Sequence, residues 1–219
     1  MNIGKYTLNY DSLSNYFSKV IFGNNSKSYW NNRFKRNWVT NNGRLQTGIF
    51  TASFCMNDIG ITPKTILDYG CGAGDSVPFL KIKYPNSEIY LFDFSEKAQE
   101  LQKKYQKYSV ILKDVNNSKK YDLVYCSNVI EHIVELTPFL EKLCSLSNEN
   151  VVIQAPYSEF HKDGDLITPD FPKGEHVRTI TESFIQTLPT TFEWKYYLVD
   201  SPIAWEYGKQ VIYWGKKCN

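Results

Sequence analysis

The chain has 219 residues, a length that fits one domain with a smaller appendage. Its 25 basic and 23 acidic residues nearly cancel, so the overall charge gives no general attraction for a polyanion, and nucleic acid is not the expected partner. There is no apolar run of about 18 residues, no signal-peptide pattern and no C-x-x-C pair among the five cysteines, which predicts a cytoplasmic protein with reduced thiols and no membrane contact.

Residues 1–60 precede the first core strand and are expected to form a helical cap. Residues 10–22 have apolar side chains at helical spacing. Trp30, Phe34 and Trp38 recur every fourth residue and therefore share one helix face. Core packing is the simplest explanation of such an aromatic stripe. The polar side chains of this segment that could still face a ligand are Arg33, Arg44 and Gln46.

The most distinctive stretch begins where an apolar run ends in Asp68 and is followed by Gly70, Gly72 and Gly74. Glycine reaches backbone angles that other residues avoid and lets a ligand approach the main chain, so the stretch predicts a strand, a ligand-binding turn and a helix. The dinucleotide fingerprint G-x-G-x-x-G/A would need glycine or alanine where Asp75 stands. A phosphate-binding loop would need a Gly-Lys-Ser/Thr ending, so neither motif explains the stretch.

From residue 64 onward, strand and helix patterns alternate, which is typical of an α/β fold with a mostly parallel sheet. The predicted strands are residues 64–69, 88–92, 109–112, 121–126, 150–154, 191–199 and 209–215. The predicted helices are residues 75–84, residues 96–106 with Ser95 as N-cap, a stretch after Asn128 that continues through residue 146, and a helix to about residue 188 that a capping box at 179–182 opens. The last two strands are expected to form an antiparallel hairpin.

Residues 66–74 have the pattern hydrophobic-hydrophobic-D-x-G-x-G-x-G and resemble motif I of the class I S-adenosylmethionine (SAM)-dependent methyltransferases. The resemblance covers residues 61–156 best. It implies a Rossmann-like α/β fold with a seven-stranded, mostly parallel sheet and helices on both faces. It also implies an N-terminal helical cap at 1–60, a SAM-binding core at 61–219, and SAM as the cofactor with S-adenosylhomocysteine (SAH) as the product.

The resemblance gives expected roles to acids at the ends of successive strands, where ligands of such sheets lie. Asp93 would accept hydrogen bonds from the ribose hydroxyls, and Phe94 would stack on the adenine. Asp114 would accept from the adenine amino group, beside Val115. Each acid alone has a simpler alternative as a turn or helix-cap residue. The expected cofactor contacts are Arg44, Asp68, Gly70, Cys71, Gly72, Gly74, Asp93, Phe94, Asp114, Val115, Ser127 and Asn128.

The chain has three histidines, and His132 directly follows Glu131 after the fourth strand. These residues resemble the E-x-x-E-H element of some metal-dependent O-methyltransferases of ubiquinone biosynthesis and small-RNA 2′-O-methylation, with Asn128 in place of the first acid. Three roles stay open for His132: a metal site, a general base or substrate contact, and a structural role. We predict a site without metal. The catalytic candidates are Glu131, His132, His161 and His176.

A long polar loop, residues 157–178, is typical of a lid or binding loop, with an ordinary solvated loop as the alternative. Residues 174–178 and Tyr29-Trp30-x-x-Arg33 resemble bacterial methyltransferases of surface-glycan and natural-product sugar pathways. We therefore expect O-methylation of a small polar acceptor, a sugar or glycan precursor of polysaccharide biosynthesis. The alternatives are N-methylation of a small amine, RNA 2′-O-methylation, and a non-catalytic SAM-binding partner subunit. A homodimer also stays open.

Overall fold

The computed structural model describes residues 25–36, 38, 42–158, 176–200 and 208–218. Its helices are α1 (Lys27–Arg36), α2 (Gly43–Met56), α3 (Val77–Lys83), α4 (Glu96–Gln102) and α5 (Leu136–Ser145), and 3₁₀ turns span Lys103–Tyr105, Ile130–His132 and Glu182–Thr187. Its strands are β1 (Thr65–Tyr69), β2 (Glu88–Phe92), β3 (Val110–Leu112), β4 (Tyr121–Ser127), β5 (Ser147–Pro156), β6 (Phe192–Asp200) and β7 (Lys209–Lys217). The helix expected at 10–22 lies outside the described residues. No helix within them is long and apolar enough to cross a membrane.

The seven strands of the described residues form one sheet in the order β3-β2-β1-β4-β5-β7-β6. Strands β1 to β5 pair in parallel, whereas β7 runs antiparallel to both β5 and β6. This confirms the predicted Rossmann-like sheet with its antiparallel hairpin. Because β1 lies between β2 and β4, the strand order reverses there, and a crevice is expected at the carboxyl ends of these strands.

Alternate residues of β1 point to opposite faces of the sheet, and helices cover each face. Leu67 packs in one core with Leu140 of α5. Ile66 packs in a second core with Phe54 of α2 and Leu80 of α3. The prediction of helices on both faces is therefore confirmed. Helix α2, which belongs to the predicted N-terminal cap, packs directly on the sheet. The cap as a separate unit remains a prediction.

Helix α1 is held against the amino end of α4. The side-chain oxygen of Asn31 accepts hydrogen bonds from Ser95 Oγ at 2.7 Å and from Lys97 N at 3.2 Å. Ser95 also accepts from Ala98 N at 3.2 Å, which is the predicted N-cap of α4. Helix α1 therefore lies beside the carboxyl end of β2.

The helix predicted from Asn128 through residue 146 is wrong in its first part. Asn128 has a positive φ of 55°, a 3₁₀ turn follows, and an extended Ile133 separates that turn from α5. The carbonyl oxygens of Ile133 and Val134 accept hydrogen bonds from the Arg178 guanidinium at 2.8 to 3.0 Å. These bonds take the place of those that a continuing helix would make.

The capping box predicted at residues 179–182 is also wrong, because the segment forms a 3₁₀ turn without it. Thr181, rather than Thr179, precedes the turn and makes no side-chain cap. The Glu182 carboxylate accepts a hydrogen bond from the Tyr157 hydroxyl, directly after β5. The local pattern predicts that Glu182 caps the start of a helix, but in the structure it is bonded to a residue distant in the chain.

Candidate active site

A cavity of about 540 Å³ lies at the carboxyl ends of β1, β2 and β4, with α1 and α2 contributing to its walls. The volume is within the range of small-molecule and cofactor sites. Its lining includes Trp30, Phe34, Trp38, Asp68, Gly70, Gly72, Asp93, Phe94, Glu131, His132 and His176. The crevice expected from the strand order therefore exists and contains most of the residues that the sequence singles out.

The turn after β1 exposes its backbone to the cavity because two of its residues are glycines. Their surroundings leave little room for a side chain. A Cβ on Gly70 would lie 2.5 Å from Val129 Cγ2, and one on Gly72 would lie 3.2 Å from the Phe34 ring. Their φ angles of 75° and 52° are in the left-handed region that favours glycine. The amide of Gly72 donates to Asp93 Oδ2 at 2.9 Å, which ties the turn to the end of β2.

Two buried carboxyl groups, Asp68 in β1 and Asp93 directly after β2, line the cavity. Burial raises the pKa of Asp68 to about 7, the Asp93 charge adds to this rise, and a hydrogen bond from Ser76 opposes it. Burial likewise raises the pKa of Asp93 to about 6, against hydrogen bonds from the amides of Ser95 and Gly72. The pair offers acceptor oxygens for hydroxyl groups and can also hold a proton near neutral pH.

Four more predicted cofactor contacts line the cavity. Phe94 is 43% exposed, so one face of its ring is accessible to a ligand. Asn128 follows β4, and its side-chain oxygen accepts a hydrogen bond from Ser127 Oγ at 3.0 Å. Its backbone N–H donates to Gln154 O at 2.8 Å. Burial raises the pKa of the Cys71 thiol well above its usual value, so this side chain is a neutral lining group.

Four other residues predicted to contact the cofactor are not among the described residues that line the cavity, and their contact with SAM stays a prediction. Gly74 packs against side chains of the interior. Arg44 is drawn to Asp75, with 3.3 Å between its Nε and Asp75 Oδ1. Asp114 is exposed and accepts a hydrogen bond from the Val115 amide at 2.8 Å, while the Val115 side chain packs in the core. The hydrogen bond from the Val115 amide fits the turn role that is the simpler alternative for Asp114.

Three of the four predicted catalytic residues come together at the cavity. Glu131 and His132 belong to the 3₁₀ turn after β4, and His176 precedes Val177, whose amide donates to Glu131 O at 2.7 Å. His176 Nε2 lies 4.0 Å from Glu131 Oε1, and the imidazole centroids of His132 and His176 are 4.7 Å apart. The fourth candidate, His161, lies outside the described residues.

This Glu–His cluster has two chemical uses. An imidazole can accept the proton of a hydroxyl group, and a nearby carboxylate can stabilise the imidazolium that forms. One ligating atom from each of Glu131, His132 and His176 also lies within 4.8 Å of the others, and these are the side-chain types that bind zinc. The Trp30 ring packs edge-on against His132, with 5.0 Å between centroids. The cluster is therefore covered on that side by an aromatic group.

Sequence reasoning missed two residues that shape the site. Arg178 fixes the backbone directly after the 3₁₀ turn that carries Glu131 and His132. Asp75 is 4% exposed and accepts hydrogen bonds from Trp38, which lines the cavity, and from Lys104. A signal for Asp75 was available, because the acid directly follows the glycine motif. No local pattern indicates the carbonyl partners of Arg178.

A protein-family model described as a methyltransferase domain matches residues 51–197, more than half of the chain. This chain belongs to that methyltransferase family. Membership confirms the expected class of protein, and it agrees with SAM as the expected cofactor. The matched region includes all the parallel strands and the Glu–His cluster.

Two relatives from poppies match over a shorter stretch. N-methyltransferase 4 of Papaver somniferum is 35% identical over 91 residues, which cover 36% of this chain and 26% of that protein. The probable (S)-tetrahydroprotoberberine N-methyltransferase 2 of Papaver bracteatum is 30% identical over 104 residues, which cover 43% of this chain and 29% of that protein. The match therefore spans less than a third of either relative's length.

One solved structure is similar over nearly the whole chain. The plantazolicin methyltransferase BpumL, in complex with SAH, superimposes with a TM-score of 0.59 at 17% identity, covering 94% of this chain and 96% of that one. At this identity the likeness shows the fold alone. None of these three proteins is described as a glycan-pathway O-methyltransferase, so the finer resemblance rests on the sequence motifs.

Proposed function

We propose that this chain transfers the methyl group of SAM to a hydroxyl group of a small polar acceptor. The observation that carries the proposal is one cavity that contains the glycine turn, Asp93 and the Glu–His cluster. The first two features suit a nucleoside cofactor, and the cluster suits a hydroxyl group that must lose its proton. Membership in a methyltransferase family supports methyl transfer as the reaction.

On the cofactor side, Asp93 accepts hydrogen bonds from the ribose hydroxyls, and Phe94 stacks on the adenine. The two oxygens of Asp93 already accept the amides of Gly72 and Ser95 at 2.9 and 2.8 Å, so the carboxylate is held in place before a ligand binds. Gly70 and Gly72 allow the methionine part of SAM to approach the main chain. These roles agree with the residues' positions around the cavity.

In the transfer step, a bond forms between the acceptor oxygen and the methyl carbon, and the carbon–sulfur bond of SAM breaks to leave SAH. Holding the two reactants in line can contribute about 7–11 kcal/mol. The hydroxyl proton moves to an imidazole nitrogen of His132 or His176, and the Glu131 carboxylate stabilises the positive charge. This mechanism uses no metal ion, in line with the expectation from the sequence.

For the acceptor, we propose a sugar or glycan precursor, because residues 157–178 are rich in polar side chains. A small amine is the second candidate, and two observations favour it. The aromatic rings of Trp30, Phe34 and Trp38 line the cavity, and the buried carboxyl group of Glu131 lines it as well. Aromatic rings and a carboxylate together attract cations. The two poppy relatives are described as N-methyltransferases. Locating the methyl group on the product, on oxygen or on nitrogen, separates the candidates.

Calorimetric titration with SAH tests the cofactor site. We expect Asp93→Asn to weaken SAH binding about tenfold or more, because the ribose loses a charged acceptor. Glu100→Gln is the matched control, since Glu100 is an exposed acid that pairs with Lys97 on α4, and its affinity should equal that of the parent. Parental affinity in Asp93→Asn would refute the assignment of this cavity to SAM. A cytoplasmic location and a homodimer remain predictions.

A further inference from the structure

Asp75 is a buried acid next to the cavity that accepts hydrogen bonds from four side chains, although it is not among the residues that line the cavity. Its Oδ1 accepts hydrogen bonds from Lys104 Nζ at 2.6 Å, from the Tyr105 hydroxyl at 2.9 Å and from Arg44 Nε at 3.3 Å. Its Oδ2 accepts one from Trp38 Nε1 at 3.2 Å. Burial acts to raise the pKa of Asp75, yet the hydrogen bonds from Lys104, Trp38 and Tyr105 outweigh it and hold the pKa below the usual range.

The four donors come from two separate parts of the chain. Lys104 and Tyr105 belong to the 3₁₀ turn after α4, in the sheet domain. Trp38 follows α1, and Arg44 lies in the first turn of α2. Asp75 therefore connects the N-terminal segment to the sheet domain at the point where the glycine turn ends.

Of the four donors to Asp75, Trp38 is the one that lines the cavity, so it links Asp75 to the cavity wall. Its ring packs at 4.6 Å between centroids from Phe34, which lies against Gly72 of the turn. A Cβ on Gly43 would lie 2.6 Å from the Trp38 ring, and one on Gly72 would lie 3.6 Å from it. The indole is thus enclosed by the glycine turn on one side and the start of α2 on another, with its N–H held by Asp75.

We propose that Asp75 is a positioning residue for SAM: by holding the Trp38 indole, it fixes the aromatic wall of the cavity beside the glycine turn. This inference rests on the proposed assignment of the cavity to SAM. Asp75 itself touches no ligand. Its loss should weaken the binding of SAM and SAH by loosening the wall, with little effect on the transfer step once SAM is saturating.

The test combines SAH calorimetry with steady-state kinetics for Asp75→Asn, Trp38→Phe and the double variant. Each single variant should raise the Kd of SAH and the KM of SAM, about tenfold for Asp75→Asn. Asp75→Asn, which changes no residue of the cavity lining, should leave kcat at saturating SAM within about twofold. Trp38→Phe keeps an aromatic ring and removes the N–H, so it tests the connection even if Asp75→Asn folds poorly. The double variant should bind SAH no more weakly than the weaker single variant, because both changes break one connection.

Glu96→Gln is the matched control, since it breaks an exposed ion pair of 2.8 Å that joins Lys27 of α1 to α4. Its SAH affinity should equal that of the parent. The proposal is overturned if Asp75→Asn and Trp38→Phe both keep the parental Kd while Asp93→Asn loses affinity, or if the two single effects simply add. If Asp93→Asn also keeps the parental Kd, the cavity assignment fails and the proposal fails with it.

Discussion

At the scale of single residues, the buried acids Asp68 and Asp93 make the stability of the fold depend on pH. Their pKa values of about 7 and about 6 in the folded protein lie above the ordinary range of aspartate. Between the ordinary pKa and these raised values, the folded chain binds more protons than the unfolded chain. The stability from these groups is therefore complete at acidic pH and is lost as pH rises through about 6 to 7.

We predict that Asp68→Asn removes part of this loss, because the amide has the same shape and no charge to bury. Without ligand, the free energy of unfolding should fall less between about pH 5 and pH 7.5 in the variant than in the parent, by about 1.4 kcal/mol for each pH unit between pH 5 and the raised pKa of about 7. Denaturant titrations at the two pH values measure it. Equal pH slopes in parent and variant would contradict the raised pKa of Asp68.

His132 is one of the two histidines proposed to accept the proton of the acceptor hydroxyl. We expect His132→Gln to lower kcat by about 10²- to 10⁴-fold, the usual contribution of general acid–base catalysis, while SAH affinity stays within about twofold. His176→Gln is the companion variant, since the two imidazoles are neighbours. Parental kcat in both variants would remove the histidines from the mechanism.

A chelator separates the two chemical uses of the Glu–His cluster. Because we propose direct proton transfer to an imidazole, activity should persist after dialysis against a chelator. A loss of activity that Zn²⁺ or Mg²⁺ restores would show instead that Glu131, His132 and His176 hold a metal ion, which their spacing permits.

At the scale of elements, Arg178 sets the conformation of the segment that carries the cluster. Its guanidinium donates to the carbonyls of Ile133 and Val134, at the break between the 3₁₀ turn and α5. Arg178 is 5% exposed, so its removal would leave these carbonyl groups with poor access to water. The neighbouring turn would then lose a fixed end.

We predict that Arg178→Met lowers the free energy of unfolding by about 1–3 kcal/mol and also lowers kcat, because Glu131 and His132 are displaced. Lys120→Met is the matched control: Lys120 also donates to two backbone carbonyls, but at an exposed site, so it should cost less than about 0.5 kcal/mol. Denaturant unfolding and kinetics measure both. An Arg178→Met variant with parental stability and kcat would show that the 3₁₀ turn with Glu131 and His132 keeps its conformation without Arg178.

The elements that the sequence predicted well are those specified by local patterns. Strand β2 matches its predicted range, 88–92, and Ser95 caps α4 as expected. The errors occur where a distant residue decides the local structure. Arg178 donates to the Ile133 carbonyl at the point where the predicted helix is interrupted. The Tyr157 hydroxyl donates to Glu182, the acid of the predicted capping box. Hydrophobic periodicity carries no information about such contacts.

At the scale of the whole molecule, the sheet order predicts where the site lies, but the motif alone does not say which acids reach it. Asp93 and Asp114 both follow strands, yet Asp93 lines the cavity and Asp114 lies outside its lining. The difference arises because β2 is next to β1 at the reversal of strand order, whereas β3 is at the edge. Trp38 lines the cavity and is held by Asp75, and this arrangement depends on packing between the N-terminal helices and the sheet, which residue spacing cannot show.

The central claim is that this chain moves a methyl group from SAM to a small acceptor. The most direct measurement incubates the protein with SAM and a mixed pool of nucleotide sugars, sugar phosphates and small amines, and follows SAH and the pool by mass spectrometry. We expect SAH to form together with one pool member that has gained the mass of a methyl group, and both products to form about 10²- to 10⁴-fold more slowly with His132→Gln. Tight SAH binding without any methylated product would contradict the claim and leave a SAM-binding protein without this activity.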